Sequence, residues 1–194
     1  MGGYAAVVRA GGAGRRLGGV AKPLLPVGGR PMLDRVLAAV ADAAPRIVVG
    51  PPGLVVPPGA LQVSEEPPGG GPVAALAAGL SVVDRAVEVV AVLAADLPFL
   101  TPAAVALLRS TLEESTVDGV VFVDGAGRRQ TLCGTWRTDA LRGALAGQPA
   151  HQGMALRHLL AGLRIREVVG DGGGPPPWYD CDSPEDLDRA ERWA

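Results

Sequence analysis

The stretch Tyr4-Ala5-Ala6-Val7-Val8-Arg9-Ala10-Gly11-Gly12-Ala13-Gly14-Arg15-Arg16-Leu17-Gly18-Gly19 decides how this chain is read. A short apolar run, Tyr4 to Val8, feeds straight into a turn, and five of the eleven residues from Arg9 to Gly19 are glycine. An apolar run stopped by a glycine turn predicts a strand and a loop. Glycines let backbone N–H groups approach an anion without interference from a Cβ. The pattern is neither GxGxxG nor the P-loop that ends in Gly-Lys-Ser/Thr. Arg15, Arg16 and Lys22 crowd the same turn. Two like charges 4 Å apart cost about 4 kcal/mol at an effective dielectric of 20, unless an anion sits among them. The reading is a polyphosphate site at the end of a strand.

Outward from that loop, strand-like and helix-like runs alternate, the pattern of an α/β fold. Leu33, Val36, Leu37 and Val40 have the i, i+3, i+4, i+7 spacing of an amphipathic helix, and Val73, Leu76, Ala77 and Leu80 repeat it. Strands are predicted over 46–49, 61–63, 88–94, 117–123, 131–136 and 164–169. The unbroken apolar run after Glu88 suits a central strand covered on both faces. Thr101-Pro102 opens a helix running to about Leu112, a second is expected over 155–163, and Ser183-Pro184-Glu185-Asp186 opens the last. Gly50 to Ala60 and Gly170 to Pro177 are Gly/Pro-rich loops. Neither is long enough to mark a linker, so one domain over 1–194 is expected.

Composition narrows the function. The chain has 194 residues with a net charge of −2 and no long basic run, and only 4% are aromatic. A nucleic-acid partner is not expected. No apolar run reaches the ~18 residues of a membrane helix, and Met1 to Tyr4 does not resemble a signal peptide. A cytoplasmic protein, a monomer or small homo-oligomer, is expected. Cys133 and Cys181 belong to no CxxC pair and read as buried small hydrophobes. Among 18 cationic residues, Lys22 is the one lysine. Arg is a flat fork and Lys a compact point charge, so a narrow phosphate contact distinguishes them.

Two acidic features join the loop. Asp96 follows the strand 88–94 and so stands at the sheet edge where α/β proteins bind ligands. A lone carboxylate there, beside a phosphate loop, suits Mg²⁺. Asp180 and Asp182 alternate in an extended segment and point the same way. Asp182 is the candidate second ligand.

These residues resemble a known family. Val8-Arg9-Ala10-Gly11-Gly12, Arg15-Arg16-Leu17-Gly18 and Lys22-Pro23-Leu24-Leu25 are similar to the signature of the molybdenum cofactor guanylyltransferases, MobA-like NTP transferases. Gly71-Pro72-Val73-Ala74-Ala75-Leu76 resembles the loop beside the nucleobase. Ala94-Ala95-Asp96-Leu97-Pro98 resembles the metal-binding segment, and Asp180 to Leu187 the C-terminal motif. The family usually has Leu in place of Arg9 and an acid in place of Ala21. The resemblance implies a Rossmann-like three-layer nucleotidyltransferase fold with a mixed, mostly parallel sheet. It implies transfer of GMP from GTP to a phosphorylated pterin, with release of pyrophosphate.

The resemblance also assigns roles. Arg16, Lys22 and Asp96 would be catalytic. Ala10, Gly11, Gly12, Gly14, Arg15, Glu66, Gly71 and Pro72 would join them around the nucleotide, and Asp96 and Asp182 would hold Mg²⁺. Since the attacking phosphate is already ionised, positioning and charge neutralisation suffice and no general base is required. His151 and His158 are left as surface or substrate-loop residues. Arg128, Arg129 and Gln130, in a turn, are the candidate acceptor contacts, against the alternative of a solvated turn. Gln148 to Met154 is a second candidate acceptor loop. A cytidylyl or sugar-phosphate nucleotidyltransferase, and an inactive nucleotide-binding regulator, stand as the rival readings.

Overall fold

The computed structural model describes residues 3–11, 21–170 and 173–194. Seven strands form one sheet: β1 (Tyr4–Arg9), β4 (Arg46–Val49), β5 (Leu61–Val63), β6 (Val89–Ala94), β7 (Gly119–Val123), β8 (Arg129–Arg137) and β9 (Ile165–Val169). Their order is β5-β4-β1-β6-β8-β7-β9. Only β8 runs antiparallel to its neighbours, so the sheet is mixed and mostly parallel, as expected. β2 (Pro26–Val27) and β3 (Arg30–Pro31) form a separate small hairpin that the sequence pattern does not announce.

Helices cover both faces. α1 (Met32–Ala39) and α3 (Pro102–Glu113) bury Leu33, Val36, Leu37, Val105, Leu108 and Leu112 against one face. α2 (Pro72–Ser81), α4 (Thr138–Ala146) and the short α5 (Leu156–Leu159) bury Val73, Leu76, Leu141 and Leu156 against the other. The two faces follow from strand alternation: Tyr4, Ala6 and Val8 enter the first layer, and Ala5 and Val7 the second. α2 lies close on β1 because Gly79 has no side chain; a Cβ there would meet Val7 Cγ1 at 2.5 Å. Thr101 caps α3 by accepting a hydrogen bond from Ala104 N at 3.1 Å, with Pro102 at the first helical position. Such a cap contributes about 1 kcal/mol.

The helix expected over 155–163 is shorter. α5 gives way to a 3-10 turn, Leu160–Gly162, where Gly162 lowers helical propensity. α4 is an addition to the expected elements, because it starts after Arg137 with no side-chain cap and carries Gly143 inside. The last helix, α6 (Pro184–Trp193), starts on a capping box: Ser183 Oγ accepts from Asp186 N at 3.1 Å, and Ser183 N donates to Asp186 Oδ2 at 2.9 Å.

Candidate active site

The C-terminal ends of β1 and β6 are adjacent, with Arg9 opposite Ala94. The segments that leave them therefore start side by side. Gly11 begins the glycine loop, and Ala95-Asp96 follows β6. Gly12, Gly14, Arg15 and Arg16 lie outside the described residues. Before Gly11 the chain is anchored to the sheet, with Ala10 N donating to Val49 O at 2.7 Å.

Lys22 opens a 3-10 turn, Lys22–Leu24, closed by Leu24 N donating to Ala21 O. Its ammonium contacts Asp96 Oδ2, and it donates to Asp182 Oδ1 at 2.5 Å. Residues 160 apart in sequence thus meet on one cation. The Lys22 side chain is 13% exposed, and desolvation lowers its pKa, but the charges and hydrogen bonds of Asp96 and Asp182 outweigh this and hold it above the ordinary lysine value. Lys22 is thus a charged lysine at neutral pH. Ala21, where the resemblance expects an acid, is exposed and makes no side-chain cap.

Asp180 is the third acid of the cluster. Burial, then the charges of Asp182 and Asp96, push its carboxyl up to about 6. Lys22 bridges Asp96 and Asp182, and Asp180 adds a third acid to the same neighbourhood among the described residues, the kind of charge arrangement found at functional sites. The neighbouring Cys181 is fully buried, and burial first of all pushes its thiol up to about 12. It is a packed hydrophobe, as is Cys133, and neither is a nucleophile.

A fixed frame holds the acids in place. Cys181 N donates to Asp96 O at 3.3 Å, tying the tail to the β6 loop. Phe99, three residues after Asp96, packs against Tyr179 and Trp193 with ring centroids 6.0 and 5.7 Å away, and Tyr179 and Trp193 meet at 5.0 Å. The chain has few aromatics, and three of them clamp the Asp96 loop, the Asp180 segment and α6 together.

On the other side of the glycine loop, the acid that approaches Gly11 is Glu65 and not Glu66. Glu65 Oε1 lies 3.6 Å from where a Gly11 Cβ would stand, and it accepts from Gly69 N at 3.2 Å. Its Oε2 is buried with no hydrogen-bond partner among the described residues. Glu66 is exposed. The sequence carries a signal for this: residues 61, 63 and 65 alternate to one side of an extended run, and Val63 packs inward. Gly71, at φ 93°, opens α2 with Pro72 behind it, and Gly153 N donates to Gly70 O at 2.8 Å. The 148–154 loop is thereby docked on the segment before α2.

Arg128, Arg129 and Gln130 stand at the β7–β8 turn, as expected, with their side chains engaged. Arg128 Nε donates to Asp124 at 2.8 Å, Arg129 Nε to Glu167 at 2.7 Å and Gln130 Nε2 to Asp124 at 3.2 Å. His151 bonds to Leu145 O at 3.1 Å, away from Lys22 and Asp96.

The comparisons with known proteins agree with this geometry. The family model of the MobA-like NTP transferase domain matches residues 6–168. A molybdenum cofactor guanylyltransferase of Nitrobacter hamburgensis is 30% identical over 198 residues, covering 97% of this chain and 93% of its own. Among solved structures, molybdopterin-guanine dinucleotide biosynthesis protein A from Archaeoglobus fulgidus superposes with a TM-score of 0.78 at 20% identity, over 97% of both chains. The 2-C-methyl-D-erythritol 4-phosphate cytidylyltransferase of Thermus thermophilus has a TM-score of 0.73 at 24% identity, over 98% of both. Those two show the fold. The chain belongs to the MobA-like NTP transferase family.

Proposed function

We propose that the protein transfers GMP from GTP to a molybdopterin-type acceptor, releasing pyrophosphate, with Mg²⁺ as its metal and in the cytoplasm. The observation that carries this reading is the meeting of Lys22, Asp96 and Asp182 at the edge where the glycine loop begins. The guanylyltransferase relative at 30% identity supports the choice of nucleotide and acceptor.

The chain's own groups divide the work. The amides at Gly11 and beyond receive phosphate oxygens of GTP. Lys22, drawn by the incoming phosphates, exchanges a carboxylate oxygen for a phosphate oxygen and offsets charge there. Its thin stem allows this within a crowded cluster. The acceptor's phosphate attacks the α-phosphorus, the bond to the β-phosphate oxygen breaks, and pyrophosphate leaves with the electron pair. Glu65 suits guanine: its free Oε2 and its partner oxygen match the N1–H and N2–H₂ donors on that base's edge. Cytosine and adenine do not offer this pair.

The donor set fits Mg²⁺. Asp96 and Asp182 supply hard oxygens within reach of one point, now held by the Lys22 ammonium. Mg²⁺ takes one or two carboxylates and completes its shell with phosphate and water. When bound, the metal supplies charge neutralisation between phosphate oxygens.

The test is a screen of GTP, CTP, ATP and UTP with and without molybdopterin, read as pyrophosphate release with Mg²⁺ present. Release with GTP alone, and only with acceptor, is expected. Release with CTP instead supports the cytidylyl reading. GTP binding with no release supports an inactive regulator.

A further inference from the structure

A cavity of about 670 Å³ opens on the α2/α5 face of the sheet and borders the candidate site at Pro72. Its floor is apolar: Leu132, Leu156, Leu160 and Ile165. Its cations are Arg9, Arg128, Arg129 and Arg157, and among the described residues no acidic side chain lines it. Arg128 and Arg129 are held by Asp124 and Glu167 behind them. Arg157 is exposed and in no ion pair among the described residues.

Arg9 is the unexplained member. It follows Val7 onto the second face of β1, where its neighbours are core residues. Its Nε is buried and has no hydrogen-bond partner among the described residues. A buried donor on a charged group left unsatisfied is costly, and Leu at this position would avoid the cost. The position is not remote. Arg9 is opposite Ala94 in the sheet, and Ala95 N donates to Arg9 O at 3.0 Å, so the cavity mouth and Asp96 are reached from the same two strand ends. One register step beyond the Leu93–Cys133 pair, Leu132 continues the row from Arg9 and Ala94 into the cavity floor.

We infer that this cavity binds the acceptor, a compound with a flat or apolar ring body and an anionic substituent, and that Arg9 is the specificity-determining residue that fixes its anion. The volume is that of a small-molecule site rather than of a single phosphate. The apolar floor takes the ring. Arg157 and the Arg9 Nε, which has no hydrogen-bond partner among the described residues, take the negative charge, while Arg128 and Arg129 keep their carboxylate partners. Arg9 borders the cavity from β1, on the Glu65 side of β6, and Arg128, Arg129 and Leu132 border it from beyond β6. This inference rests on the transferase reading for the identity of the acceptor, and on the cavity alone for its chemistry.

Two variants and two readouts separate these. With molybdopterin varied at saturating GTP, Arg9→Leu should raise the acceptor KM about tenfold or more while the GTP KM stays within about twofold. Arg157→Ala should raise the acceptor KM by about threefold, as expected for an exposed charge. Independently of turnover, riboflavin 5′-phosphate, a flat ring with a phosphate, serves as a binding probe read by fluorescence polarisation. Arg9→Leu should weaken it at least about fivefold. The variant should melt no lower than the parent, since an unpartnered buried donor is replaced by a hydrocarbon. Wild-type turnover with no acceptor effect of Arg9→Leu, unchanged probe binding, or a rise confined to the GTP KM overturns the inference. If no acceptor supports turnover, the transferase reading fails, and the probe measurement alone decides the cavity's chemistry.

Discussion

Two ion-paired clusters in this molecule look alike in sequence and behave oppositely. At the start of β9, Arg164 clasps Asp118: Nη2 donates to Oδ1 at 3.0 Å, Nε to Oδ2 at 3.3 Å and the Arg164 backbone N to Oδ2 at 2.8 Å. One acid meets one guanidinium, and those hydrogen bonds hold the Asp118 carboxyl below the usual carboxylate range. At the C-terminal edge of β6, Asp96 and Asp182 meet one ammonium, and the nearby Asp180 carboxyl rises instead. The first cluster is complete and pins β7 to β9. Among the described residues the second holds more acids than cations, which suits a site that receives a charged ligand. The difference between them, rather than the presence of ion pairs, singles out the candidate active site.

The largest expected effect comes from reshaping the second cluster without changing its charge. Lys22→Arg should cut turnover at least about a hundredfold, the cost of losing one well-placed electrostatic contact. The fork would stay bound to Asp96 and Asp182 as a closed pair, turning the site into a copy of the Asp118–Arg164 clasp. Steady-state pyrophosphate release measures this, and turnover within a few-fold of the parent would break the comparison.

Next in size is Glu65→Gln. On the proposed reading, a carboxylate placed to accept two hydrogen bonds from guanine becomes an amide that accepts one and opposes the other. Discrimination of GTP over ATP should fall about tenfold or more, measured as the ratio of kcat/KM values. Equal loss with every nucleotide would make Glu65 a loop brace through Gly69 and not a base reader.

The smallest effects are on stability, and their pH dependence has opposite sign in the two clusters. Asp118 has a folded pKa below its unfolded value, so its contribution is present above the unfolded value and is lost as pH falls through the folded one. Asp118→Asn should lower the melting temperature at pH 7 by about 2 °C, and the difference should vanish at low pH. Asp180 has a folded pKa of about 6, above its unfolded value. Its favourable contribution is present below the unfolded value and is lost as pH rises through about 6. Asp180→Asn should therefore melt higher than the parent at about pH 8 and equal to it near pH 3. Melting curves across that range check both, and parallel behaviour of the two variants would erase the distinction.

Much of this is legible along the chain. The strand boundaries at 46–49 and 61–63 coincide with those observed, because Gly and Pro punctuate both ends. The caps at Thr101 and Ser183 are readable from Thr-Pro and Ser-Pro-Glu-Asp. α4 and the β2–β3 hairpin are not. The first lacks a capping side chain, and the second has two-residue strands too short for any period to show. In the site, Asp96 and Lys22 follow from sheet-edge logic and from the scarcity of lysine. That the Asp182 carboxylate reaches the same ammonium depends on how a tail 160 residues away folds back, which no local pattern encodes. The resemblance points to Glu66, whereas the carboxylate that approaches Gly11 in the fold is Glu65. There the alternation of the preceding strand is a better guide than motif alignment across an irregular loop.

The central claim is that the acid-rich cluster around Lys22 is where transfer occurs, and Asp96→Ala tests it most directly. Pyrophosphate release from GTP and molybdopterin is measured beside a thermal melt of the same preparation. The account predicts that release falls by at least about a hundredfold while the melting temperature stays within about 4 °C of the parent. Release at the parent's rate from a folded Asp96→Ala protein would contradict it.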